Sequence, residues 1–147
     1  MTADRETSVR MGRLVIAGLV AGLILNIGEA ALHAGILGDA TTAAYAALNR
    51  TVLPDAMNLV LLVALTFAQG VLMAWLYAVL RVRFGSRFPA AASAGLIAWF
   101  LSSVYAAIYL YAGLPGIFPP NIVWVPVAWQ LLEYPLAALA AAATYGD

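Results

Sequence analysis

The chain has no cysteine and no lysine, a single histidine, and charged side chains at only 10% of its 147 positions. The missing cysteines exclude disulfides, thiolate nucleophiles and thiolate metal sites, and they leave the redox compartment unconstrained. Seven arginines balance seven acids, so no basic field recruits nucleic acid, and a DNA or RNA role is set aside. Soluble domains carry about 25% charged residues. Here 65% of residues are hydrophobic and the mean hydropathy is +0.94, the composition of a membrane protein. Abundant alanine, with arginine in place of lysine, points to a GC-rich bacterial source and so to the bacterial inner membrane.

The apolar residues fall into four blocks long enough to cross a bilayer, at about 13–37, 55–80, 89–111 and 122–145. The expectation is one all-α membrane domain over residues 1–147, a four-helix bundle that leaves no soluble domain to place. Arg5 and Arg10 precede the first block as they would a signal peptide. That block, however, runs for about 24 residues, against roughly 7–15 for a signal core, so it reads as a retained span. Between the first and second blocks the chain turns polar. Asp39, Thr41 or Thr42 could cap a short amphipathic helix there, with Tyr45, Leu48 and Val52 on one side. Pro54 and Asp55 suit the start of the second span. The segment Arg81 to Pro89 reads as a short loop, and Gly113 to Asn121 as a stiff uncharged turn.

Arginine placement sets the expected orientation. Arg5, Arg10, Arg13, Arg81, Arg83 and Arg87 lie on one side and Arg50 alone on the other, which puts both termini in the cytoplasm. The segment after the first span is then outer. Trp75, Tyr77 and Phe84 near one boundary and Trp124 near the other fit interfacial belts.

Few polar groups interrupt the spans, and each needs a partner. At 100° per residue, Gly18, Gly22, Asn26, Glu29 and His33 fall within an arc of about 80° on the first span. The Gly-x-x-x-Gly half of that stripe is suited to close helix packing, and the polar half to partners or a ligand. The fourth span offers Pro126, Trp129, Gln130, Glu133, Ala137 and Ala140, and its two internal prolines could widen a cavity beside Glu133. The third offers Ala91, Gly95, Ala98, Ser102, Ala106 and Tyr109, with Tyr105 at the edge. The second offers Asp55, Asn58, Leu62, Thr66, Gln69 and Met73.

If the four stripes meet, Asn26, Glu29, His33, Tyr105, Tyr109, Trp129, Gln130 and Glu133 form a pocket near mid-membrane that opens outward. It could hold a proton, a cation or a lipophilic molecule with a polar head. The plainer reading is a hydrogen-bonded core that fixes helix register. Glu29 and His33 are one turn apart and could share a metal, or His33 could be an axial ligand to a haem. One Glu-x-x-x-His is less than di-metal bundles use, so no metal or cofactor is assigned. Ser102 and Ser103 lie mid-helix without the strand-turn-helix elbow of a serine hydrolase.

Four spans with a glutamate in the first resemble the small multidrug resistance exporters, in which that acid exchanges protons for cationic drugs and would correspond to Glu29. This chain adds a large outer segment and a second buried acid. Size and span count also resemble the membrane-bound glutathione transferases, without their second-span polar signature. Phe118, Pro119, Pro120, Asn121, Trp124 and Trp129 resemble the outer loop of the porphyrin-binding translocator proteins, which have five spans. The segments GLILNIGEAALHAG and AWQLLEYPLAALA resemble the first and last spans of small four-span bacterial membrane proteins, a likeness that implies no activity. The first expectation is a non-catalytic accessory subunit of a membrane complex, or a small binding protein, working as a homo-oligomer or beside a partner in the lipid bilayer. A small transporter or lipophilic-ligand and proton binder comes second, and an enzyme acting on a lipid or quinone third.

Overall fold

The computed structural model describes residues 10–50 and 56–146. Among these there are helices and turns and no strand. Helix α1 runs Met11–Ile36, α2 Gly38–Ala47, α3 Ala56–Phe84, α4 Arg87–Gly113 and α5 Pro120–Tyr145. All but α2 are long and apolar enough to cross a membrane. Arg5, Val52, Pro54 and Asp55, on which some expectations rest, lie outside the described residues.

The helix ends result from local chemistry. Pro120 opens α5, where its missing N–H costs nothing. Gly85 takes φ +67° and its N–H closes on the Arg81 carbonyl at 3.1 Å, and Ser86 is extended, so α3 turns into α4 across two residues. The expected loop is therefore mostly helix. Arg81 and Arg83 occupy the last turn of α3, where the dipole favours cations. In α2 the cap is Leu37, and Asp39, Thr41 and Thr42 all lie inside the helix. Asp39 faces its positive end, and the Thr42 hydroxyl donates back to the Gly38 carbonyl at 2.8 Å. Asn49, at φ +53°, ends that helix.

Helix α1 rests on α3 and α5, α4 rests on α5 and α3, and α3 and α5 also meet across the middle. Glycine makes the closest approaches. A Cβ on Gly70 would collide with the Gly18 carbonyl and the Gly22 amide, and one on Gly18 would meet the Val71 backbone. The Gly-x-x-x-Gly of α1 is thus a packing surface. Gly95 lies equally close to the backbone of Pro135, so this proline packs tightly and opens no cavity.

The two ends of the bundle differ. At the end that gathers the α3–α4 turn, Arg10, Arg13 and Tyr145, the core is Leu14, Ala17, Ala21, Met73, Ala74, Ala90, Ala91, Ala94, Ala137, Ala138, Ala141 and Ala142. We call this the termini end. The main-chain N–H of Arg10 donates to the Tyr145 hydroxyl at 3.2 Å. Tyr77 is fully buried there, edge-on to Tyr145 at 5.9 Å, so it belongs to the core and not to an interfacial belt. Trp75, Phe84 and Trp124 do stand exposed.

At the opposite end, which carries α2, the packing loosens. Every residue from Ala56 to Leu65 of α3 is exposed. Two helices also change pitch: α1 finishes in a π turn, Ala31–Ile36, and α4 contains another, Phe100–Val104. In such a turn hydrogen bonds run i to i+5, as from the Leu37 N–H to the Leu32 carbonyl at 2.8 Å.

Candidate functional site

Each π turn adds a residue and rotates the remainder of its helix by about 100°. In α4 the buried positions therefore step from Ala94 to Ala98, then by five to Ser103, then to Ala107. The stripe drawn at constant pitch through Ser102, Ala106 and Tyr109 is displaced. Tyr105 and Tyr109 are 66% and 62% exposed and line an outside groove with Phe100 and Ile108, so they leave the expected pocket. Among the described residues of the α3 stripe Met73 alone is fully enclosed, whereas Leu62 is 56% exposed and points away.

The remaining candidates converge from α1 and α5. Glu29 and His33, one turn apart, form an ion pair of 3.2 Å between Oε2 and Nε2. The Gln130 side-chain N–H donates to the other oxygen of Glu29 and ties α5 to α1. Asn26 is on the same face but donates to the Gly22 carbonyl of its own helix at 2.8 Å. Gln69 donates to the Tyr134 hydroxyl at 2.9 Å, joining α3 to α5.

Glu133 is only 7% exposed, and neither of its carboxyl oxygens has a hydrogen-bond partner among the described residues. The carboxyl group lies against Gly28, where a Cβ would occupy the place of Oε1. The Trp129 indole N–H, one turn back, is buried close by without closing a hydrogen bond. A lone carboxylate is among the costliest groups a membrane helix can bury, about 2.5–3.5 kcal/mol on insertion scales for a charged side chain at mid-helix.

Beside this cluster, at the α2 end, lies a cavity of about 380 Å³. His33 of one π turn and Ser102 and Ser103 of the other face it, Gln130, Pro126 and Val123 form the α5 wall, and Thr41 and Tyr45 of α2 and Phe118 complete it. The Ser102 hydroxyl is satisfied by the Ala98 carbonyl. Ser103 is 6% exposed, and its hydroxyl is unpartnered, as is the buried Thr41 hydroxyl. The wall is mostly apolar, with its polar groups gathered at few points, the usual build of a small-molecule site. Neither Ser103 nor Thr41 is distinguishable as a site residue in the sequence, because only the π turn and the fold-back of α2 aim them inward. Among the described residues no three histidines or acids are grouped to hold a metal ion.

Comparisons with protein-family profiles, curated proteins and solved structures return no match for this chain. The chemistry of the site itself therefore carries its interpretation.

Proposed function

We propose that this chain is a non-catalytic, multi-pass membrane protein that binds a small lipophilic molecule in the cavity between its two π turns. The ligand's polar group meets His33, Ser103 and Gln130, and its apolar body lies along Val123, Ile122 and Leu110. The supporting observation is the cavity's build, a mostly apolar wall with the polar side chains of His33 and Gln130 gathered at one part of it. Both termini are assigned to the cytoplasm and α2 to the outer face of a bacterial inner membrane. The five described arginines at the termini end, against Arg50 at the other, support this.

Thermal unfolding of the purified protein with decyl-ubiquinone, farnesol, oleic acid and dodecylamine tests the reading. At least one compound should raise Tm, by an amount equivalent to about 2.7 kcal/mol at a hundredfold excess over Kd. Ser103→Leu, which fills the cavity, should abolish that shift without lowering the unliganded Tm. No shift with any compound, or one that survives Ser103→Leu, rejects the proposal.

A second reading, the accessory subunit or homo-oligomer, is favoured by one feature. The exposed turns of α3 from Ala56 to Leu65 leave Met57, Val60, Leu61 and Leu65 more than half exposed. A neighbouring helix could cover them, as could lipid.

A further inference from the structure

We propose that the Glu133 carboxyl is a proton-binding site in exchange with the α2 side alone, through Glu29 and His33. Glu133 itself does not line the cavity, but the exit residue His33 does, so a ligand bound there would stand at the outer end of the route.

Three geometric facts carry the inference. Glu133 is enclosed with both oxygens unpartnered, so it sits in the bundle without the hydrogen bonds that would make its charge a structural asset. The opposing helix has glycine at position 28, where any side chain would displace the carboxyl, so the space is shaped for the acid. The groups beside it lead one way only. Glu29 is next to Gly28 in the chain, pairs with His33, and His33 is half exposed on the cavity.

A proton leaving Glu133 breaks its O–H bond and forms one on the Glu29 carboxylate. His33, protonated in the ion pair, first gives its Nε2 proton to water at the α2 end, and the proton on Glu29 then passes from Oε2 to the vacated Nε2 and restores the imidazolium. Return runs in reverse, and no other reactant is consumed. Toward the termini the route is closed, because Ala137, Ala138, Ala141 and Ala142 are packed against α1 and α4 in a core that holds the side chains of Tyr77 and Tyr134 but no acid or histidine among its described residues. Among the described residues the titratable groups facing Glu133 are Glu29 and His33 of α1, with Tyr134 next to it on α5. The polar side chains that α3 and α4 bring to this level, Gln69, Ser102 and Ser103, do not titrate.

Infrared difference spectroscopy on oriented proteoliposomes, with pH steps applied to either side, tests this without any ligand. The expected result is a carboxylic-acid C=O band that tracks pH on the α2 side and is absent in Glu133→Gln. Gly28→Ala keeps the acid but should shift the band's frequency, which guards against a glutamine variant that fails to assemble. His33→Ala should slow the band's response by about a hundredfold while leaving its end point in place. A band that survives Glu133→Gln, tracks pH at the termini side, or responds as fast without His33 overturns the proposal.

Discussion

The two ends of this bundle are built by opposite rules. At the termini end, alanine and glycine let backbones touch, and few polar groups are buried among the described residues, the Tyr77 hydroxyl chief among them. At the α2 end the helices lose constant pitch, an acid and two hydroxyls are buried without partners among the described residues, the first turns of α3 stand exposed, and a cavity opens. In lipid, helices gain little from hiding apolar surface, so close backbone packing must hold the bundle together. One end supplies that packing. The other is thereby free to carry polar groups and empty space, which would cost too much in a bundle held together along its whole length.

The largest effect should come from breaking the packed end. Gly70→Leu forces a side chain into the Gly18 carbonyl and the Gly22 amide, neither of which can move without unseating α1. Overpacking costs about 1–3 kcal/mol where side chains can yield, and more where backbone is struck. Loss of the folded band in detergent-resistance assays, or a Tm lowered by many degrees, is expected. A well-folded Gly70→Leu protein would mean that the packed end is not what holds the bundle.

An intermediate effect should come from the polar seam between the ends. Gln130→Leu removes the donor to Glu29 and with it the link from α5 to α1. A hydrogen bond to a charged group is worth about 1.5–3 kcal/mol, but inside a membrane such losses average nearer 0.6 kcal/mol. Denaturation should show a loss of about 1 kcal/mol, smaller than that of Gly70→Leu. A larger loss would show that the seam rivals the packed end as the source of stability.

Much of this division is legible in the sequence, for physical reasons that also mark where reading stops. Four apolar blocks predict four long helices, and the ends found differ from those expected by a few residues. Glu29 and His33 share a face by spacing alone. That Gln130 reaches Glu29 depends on which helices are neighbours, which periodicity does not state. A fixed 100° per residue carried through Phe100–Val104 turns Tyr105 and Tyr109 inward, and the structure turns them out. A π turn leaves no mark in the pattern of a Leu-Ser-Ser-Val run, yet it moves every later side chain by about a residue's rotation. Leu62 fails differently. Its stripe on α3 is regular, but inward is defined only where another helix covers it, and from Ala56 to Leu65 every residue is exposed.

The smallest expected effect is at that position, and it bears on how the open end is covered. Leu62 is 56% exposed, so in a bilayer its side chain exchanges contacts with lipid tails for contacts with lipid tails. Leu62→Ala should then change stability by no more than about 0.5 kcal/mol, the range of substitutions at unpartnered surfaces. A buried leucine at the packed end, such as Leu14, should cost about 2–5 kcal/mol when truncated to alanine. The comparison needs both variants in the same lipid, read by thermal unfolding and by size. If Leu62→Ala leaves Tm and size unchanged, lipid covers the outer turns of α3, and the open end serves its cavity. If it costs as much as Leu14→Ala, or halves the particle, a second helix lies there, and the contrast between the ends belongs to the isolated chain and not to the assembly.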